Sequence, residues 1–228
     1  MLHIVCPVFN EEENIGPLWK ELTEAISIPF VIAFIYDHDN DTSLPPIQKL
    51  MTSYPNIVLQ KNHSRGVLGA LKTGFQQTSS GCPLLVIMAD LSDDLAIVPQ
   101  MVEAWESGAS VVVASRYMPG GRQIGGGIMK ATLSKLAGKS LYWFKKLPVR
   151  DATNNFRLYD SDFLKTQTIE SEGGFELALE LTAKAHKKGL KIREIPATWR
   201  DRSHGESKFK LLKWLPHYLK WYLFAWSK

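Results

Sequence analysis

The chain has 228 residues, 45% of them hydrophobic and 22% charged, with a formal net charge of +4. That length supports a full core in one domain, and the composition excludes the disordered and fibrous classes. The excess charge sits in residues 201–228, where six Lys/Arg face only Asp201 and Glu206, so residues 1–200 are neutral on average.

Along the chain, short β-rich runs alternate with longer helical ones. Residues 2–9 (LHIVCPVF) read as a buried strand, and Cys6 within it as a core thiol. A helix is expected from about residue 14, with Ile15, Leu18, Leu22 and Ile26 on one face. Strands at 30–37, 56–61, 83–90 and 109–116 follow, separated by helices at 46–54, 66–77 and about 97–105. Strands apolar on both faces and joined by helices predict a doubly wound α/β fold with a mostly parallel sheet. Beyond residue 116 come a glycine-rich stretch (PGGRQIGGG), a helix over about 129–147 and the segment DATNNFRLY. A helix at 175–189 then leads to a strand at 191–199. The pair Cys6 and Cys82 makes no CxxC motif or disulfide framework, which suits a reducing, cytosolic setting. No signal peptide is expected, because Met1–Val8 runs into Asn10 and three glutamates.

Acids gather after the first, second and fourth strands, at Glu11–Glu13, Asp37/Asp39/Asp41 and Asp90/Asp93/Asp94. In a parallel sheet those loops emerge on one carboxyl edge, where ligands bind. Oxygen ligands on such an edge suit Mg²⁺ or Mn²⁺ holding a phosphorylated substrate. No GxxxxGK[ST] and no GxGxxG after a strand is present, which argues against ATP hydrolysis and nicotinamide chemistry. The same acids would repel nucleic acid.

The segment VCPVFNEEENI resembles the opening of family 2 glycosyltransferases of the GT-A fold. ADLSDD, ASRYMPGG, DATNNFRLY and IREIPATWRDRSHGESK resemble, in the same order, segments of the polyprenyl-phosphate (dolichol-phosphate) sugar synthases. The resemblance implies that Pro7, Phe9 and Glu11 shape a nucleotide pocket, with Asp37 at the base or ribose and Ala89 beside Asp90. It makes Asp90 the metal ligand, Ser92 its neighbour, and Arg202 and Lys208 the neutralisers of the leaving diphosphate. Arg116, Lys130 and Ser134 fall where the family grips the acceptor's phosphate. Two positions depart from the pattern: Met88 stands where the metal motif has its first Asp, and His38 replaces an acid.

In the tail, Lys210, Lys213, His217 and Lys220 fall on one helical face among Leu, Tyr and Trp residues, as in a helix lying at a membrane interface. Pro216 starts a second helix or kinks the first. The expected organisation is a GT-A domain over 1–206, with a nucleotide-sugar half to about 115 and an acceptor half beyond. An amphipathic interfacial helix follows over 207–228. The implied function is inverting transfer of mannose or glucose from a GDP- or UDP-sugar to a polyprenyl phosphate. The protein is then peripheral on the cytosolic membrane face, where a membrane-anchoring protein is a further conceivable partner. Two rivals stand beside this. Transfer to a saccharide hydroxyl needs an acidic base, for which Asp151 and Glu180 are candidates; the other rival is a metal-deficient, non-catalytic homologue.

Overall fold

Runs rich in Val, Ile, Leu and Phe, apolar on both faces, form the centre of the molecule because only a sheet covered on both sides buries them. The computed structural model describes residues 1–201 and 211–227. Its strands are β1 (Leu2–Val8), β2 (Phe30–Tyr36), β3 (Ile57–Lys61), β4 (Pro83–Val86), β5 (Val111–Ser115), β6 (Arg122–Ile124), β7 (Arg157–Asp160), β8 (Ile192–Pro196) and β9 (Thr198–Arg200). Seven of them make a sheet of order β3-β2-β1-β4-β7-β5-β8, while β6 and β9 pair separately in parallel. Neighbours in the large sheet are parallel except that β7 runs antiparallel to both β4 and β5.

The helices are α1 (Glu12–Ala25), α2 (Leu44–Met51), α3 (Gly66–Gln77), α4 (Val98–Glu106), α5 (Ile128–Lys145), α6 (Ser161–Lys165), α7 (Leu177–Lys187) and α8 (Leu211–Trp226). Alternation along β1 sends Leu2, Ile4, Cys6 and Val8 into one core with α1, α2 and α4, and Val5 into the other. That second core takes side chains from α3, α5, α6, α7 and α8. Helix α3 lies so close to the sheet that a Cβ on Gly74 would come within 2.4 Å of the Val5 side chain, so glycine sets the spacing.

Helix α8 runs through Pro216 as a single element, so the proline does not start a second helix. One face of α8 is core: Trp221 and Ala225 are buried, the Tyr222 hydroxyl meets Ser140 Oγ at 2.9 Å, and Phe144 and Trp226 are ring neighbours. Leu215, Leu219 and Leu223, four residues apart, remain exposed on another face.

Neutrality over residues 1–200 is only an average. Residues 1–115 carry five Lys/Arg against thirteen Asp/Glu, whereas residues 116–150 carry eight Lys/Arg and no acid. The fold places these stretches on different elements, so acidic and basic side chains are unevenly distributed over it.

Candidate active site

Strands β2, β1 and β4 are neighbours and parallel, so the loops after them share one edge, with Pro7, Phe9 and Glu11, then Asp37, then Ala89 and Asp90. Most acids on that edge are tied to backbone. Asp41 Oδ1 accepts from the N–H groups of Asn10 at 2.9 Å and Ser43 at 2.8 Å, which locks the β1 and β2 loops together. Asp37 accepts from Asn62 Nδ2 at 2.6 Å and from the Gly66 N–H at 2.8 Å, at the start of α3. A negative charge there also favours the helix dipole. The departing residue His38 is exposed, with its ring edge-on to Phe9. Beside it an open cavity of about 560 Å³ is lined by Asp37, His38, Lys61, Asn62, His63 and Arg65, among others.

After β4 the chain turns sharply. Asp90 Oδ1 accepts from the Ser92 N–H, and Leu91 is held at φ 58°, a conformation that costs a branched side chain energy and that persists only where surroundings impose it. Asp93 Oδ2 accepts from the Met88 N–H at 3.1 Å, and Asp94 Oδ2 from the Thr198 N–H at 3.1 Å, pinning β9 to the turn. Asp93 retains some accessible surface, yet burial by its neighbours, and then the Asp90 charge, push its pKa up to about 8. Two carboxylates in such mutual repulsion suit a hard divalent cation. No group of three or more His, Cys, Asp or Glu gathers as a cage among the described residues. Ser92 is buried, and its backbone is engaged with Asp90 and Arg200, so it shapes the turn.

Across β7, the acceptor candidates cluster. Arg116 Nε and Nη2 donate to the two oxygens of Asp151 at 2.7 and 3.0 Å, and its backbone N–H adds a third bond. Burial disfavours the charged guanidinium, but the Asp151 charge and hydrogen bonds outweigh it and hold the pKa above the usual arginine value. Arg116 Nη2 also donates to Thr153 Oγ1, which lies 2.5 Å from Ser134 Oγ, and Ser134 accepts from the Tyr117 hydroxyl at 3.1 Å. Arg116 and Ser134 are thus two ends of one network. A cavity of about 510 Å³ opens beside it, lined by Arg116, Tyr117, Gln123, Ala131 and Lys135, among others. Lys130 is half-buried in the first turn of α5; it does not line this cavity, although Ile128 and Ala131 on the same turn do. Arg202 and Lys208 lie outside the described residues.

Neither carboxylate considered as a base is available for that work. Asp151 is fully buried and accepts from Arg116, from the backbone N–H groups of Thr153 and Asn154, and from the Thr153 hydroxyl. Burial would raise its pKa, but Arg116 reverses the balance and holds it below the ordinary carboxylate value. Glu180 is equally buried and accepts from the Glu170 and Ser171 backbones, the Ser171 hydroxyl and Lys184.

The sequence profile described as Glycosyl transferase family 2 matches residues 3–167, the part of the chain that builds both cavities. The chain belongs to this family. Its relatives include the dolichol-phosphate mannosyltransferase of Pyrococcus furiosus, 26% identical over 96% of this chain and 63% of that protein. A prophage bactoprenol glucosyl transferase homolog of Escherichia coli K12 is 30% identical over 75% of this chain and 56% of its own length. The chain therefore spans between half and two thirds of the length of these curated relatives. Among solved structures, glucosyl-3-phosphoglycerate synthase from Mycobacterium tuberculosis, in complex with Mn²⁺, UDP and glucosyl-3-phosphoglycerate, superposes with a TM-score of 0.71. It is 15% identical, with 99% of this chain and 79% of that one covered, a likeness of fold.

For this family 2 chain, the sequence reading missed the loop after β3. His63, Ser64 and Arg65 line the Asp37 cavity, and the available signal was that the third parallel strand ends on the same edge. It also missed why DATNNFR is present. Arg157 is buried and donates to the carbonyls of Asn154, Ala178 and Asp151, while Asn154 Nδ2 donates to the Ala114 carbonyl at 2.9 Å. The segment is a knot that holds Asp151, and through it Arg116.

Proposed function

We propose that the protein transfers a hexose, mannose or glucose, from a nucleotide-sugar to a polyprenyl phosphate with inversion, at the cytosolic face of a membrane. One observation carries this reading. The two acids that would activate a hydroxyl acceptor are buried and saturated, while the cavity beside Arg116 is lined by cations. An acceptor that arrives already ionised fits such a site, and a phosphate monoester has its second pKa near ~6. Its oxygen forms the new bond to the anomeric carbon as the bond from that carbon to the diphosphate breaks, so no proton needs to be removed.

In this reading Arg116, fixed by Asp151, orients the acceptor phosphate; Lys130 adds charge, and Ser134 holds Tyr117 and Thr153 in place. Pro7, Phe9, Glu11, Asp37 and Ala89 frame the nucleotide. Asp90, with Ser92 and Asp93 beside it, would hold Mg²⁺ or Mn²⁺, which supplies positive charge to the donor's diphosphate when bound. Arg202 and Lys208 are proposed to neutralise the same group as it leaves.

The membrane side of the proposal is supported by α5 and α8 together. Residues 128–146 contain five lysines and no acid. On α5, Ile128, Met129, Leu136, Trp143 and Phe144 are exposed, and α8, which packs on α5, exposes Leu215, Leu219 and Leu223. Lysines among exposed apolar side chains suit an anionic interface. No helix among the described residues is long and apolar enough to cross a membrane. The names of the relatives, a dolichol-phosphate mannosyltransferase and bactoprenol glucosyl transferases, agree with a polyprenyl-phosphate acceptor.

The test is a panel of radiolabelled GDP- and UDP-hexoses with a polyprenyl phosphate in detergent and Mg²⁺ or Mn²⁺. Label should pass into the organic phase with one donor. Label recovered only on an added saccharide would replace this reading with hydroxyl transfer.

A further inference from the structure

A second basic cavity lies on the far side of Lys135 from the acceptor cavity. It has a volume of about 410 Å³, and Lys135, Lys139, Trp143 and Arg150 line it together with Arg116 and the β5–β6 loop. Lys135, Lys139 and Trp143 are four residues apart on α5 and so share one face. Its floor is rigid: a Cβ on Gly121 would lie 2.2 Å from the Ser115 carbonyl oxygen, so the loop folds back only with glycine there.

The charges around it are unequal in kind. Arg116 and Arg150 are each held by a carboxylate behind the wall, Asp151 and Glu194 respectively, and Arg150 is further fixed by its bond to the Tyr142 hydroxyl and its stacking on that ring at 4.1 Å. Lys135 and Lys139 add two positive charges, and none of the described residues lining the cavity is acidic. Trp143, which lines the cavity, is 65% exposed, and Phe144 (69%) and Leu136 (61%) are exposed elsewhere on the same helix. A cationic pocket rimmed by an exposed indole matches a phosphate attached to acyl chains better than a free anion.

We infer that this cavity binds the phosphodiester headgroup of an anionic phospholipid, as a site separate from the one for the acceptor's phosphate. The inference rests on the membrane reading above and gives it a register. The two cavities share Arg116, Tyr117, Gly121 and Lys135, so a neighbouring lipid held in one places the acceptor's phosphate at the depth of the other.

The experiment titrates the full chain with submicellar dihexanoylphosphatidylglycerol and, separately, inorganic phosphate, by calorimetry. Lys139 lines this cavity but not the acceptor cavity. Lys139→Gln is expected to weaken the lipid about ten-fold, the loss of one charge-assisted contact, while Lys139→Arg keeps most of the affinity. Thr132→Ala, at a residue that lines the neighbouring cavity but not this one, is expected to leave this binding unchanged. Equal affinity in wild type and Lys139→Gln overturns the site. Inorganic phosphate binding as tightly as the lipid overturns the lipid assignment. Flotation with phosphatidylcholine vesicles containing phosphatidylglycerol tests the membrane reading on its own. Wild type that ignores vesicles sinks that reading, whereas the Lys139 dependence of the titration judges the cavity in either case.

Discussion

The nucleotide edge and the α5 side of the molecule are built from opposite charges used in opposite ways. On the edge after β1, β2 and β4, carboxylates are fastened to backbone N–H groups: Asp41 to Asn10 and Ser43, Asp37 to Gly66, Asp94 to Thr198. Across β7, arginines are fastened to buried carboxylates, Arg116 to Asp151 and Arg150 to Glu194. The first arrangement fixes loops and leaves one acidic turn, at Asp90 and Asp93, crowded with like charge. The second fixes cations and leaves the surrounding lysines to add positive charge. On the proposed reading, a phosphate-bearing donor and a phosphate-bearing acceptor meet different solutions. One side needs a cation brought in; the other has its cations built in.

The comparison breaks most severely at Asp151. Asp151→Ala leaves the buried Arg116 without its partner and should cost about 3–5 kcal/mol of stability. Thermal unfolding measures this. The pH dependence has a definite sign, because the folded-state pKa is lowered. The stabilisation is complete above the unfolded value of about 3.9 and fades as pH falls through the lower folded value. Melting temperatures between pH 7 and pH 3 should show a shallower acid limb in Asp151→Asn than in wild type. An unchanged limb would mean that Arg116 is held by other contacts.

Next in size is the acidic turn. Asp90→Asn should reduce turnover by about 10²–10³ while the melting temperature changes far less, since asparagine keeps the Oδ1 that accepts from the Ser92 N–H. Asp94→Ala should do the converse, losing about 1 kcal/mol with its bond to the Thr198 N–H while keeping most activity. Turnover and melting measured on both variants separate the chemical acid from the structural one. Full activity in Asp90→Asn would remove the metal assignment.

Much of this contrast was legible before the structure. The strands and the shared edge follow from apolar runs that end in acids, whereas the role proposed for Asp90 comes from the family resemblance. What was not legible depends on pairs distant in sequence. Strand β7 reads as Arg157-Leu158-Tyr159-Asp160, with no apolar alternation, and its buried arginine is held by the carbonyls of Asn154, Ala178 and Asp151 and the Thr182 hydroxyl. Asp151 resembled a free acid because Arg116, 35 residues away, is invisible as its partner. The acid-free stretch 116–150 was in plain view, but an average over 200 residues cancelled it against the acidic first half.

The α5 side offers a weaker break through its apolar row. Leu136→Gln together with Leu219→Gln removes two exposed leucines, on α5 and α8, that contribute little to the core. Binding to anionic vesicles should drop about ten-fold or more, since each leucine withdrawn from the interface forfeits part of roughly 1.5–3 kcal/mol of burial. Stability should not fall. Vesicle flotation and a thermal melt read both. A loss of stability instead would place these leucines against protein rather than lipid.

The smallest expected effect tests how the acceptor network is wired. Ser134 does not line the acceptor cavity; it stands behind Tyr117 and beside Thr153, one hydrogen bond from each. Ser134→Ala removes a neutral hydroxyl from a partly buried chain whose other members keep their own bonds. Tyr117 still reaches Gln123 Oε1 at 3.1 Å, and Thr153 still accepts from Arg116. The loss should be that of one ordinary hydrogen bond, about 1 kcal/mol, read as a roughly five-fold rise in the KM for polyprenyl phosphate with kcat nearly unchanged. Nucleoside diphosphate affinity should move little, because the donor acids lie on the far side of β7 along the same sheet edge and share no hydrogen bond with Ser134. Restoring the hydroxyl as Ser134→Thr should recover most of the loss if the network needs only an oxygen there. A fall in kcat equal to the fall in kcat/KM would instead show that Ser134 touches the reacting phosphate, and the division between the two sides would have to be redrawn one residue deeper.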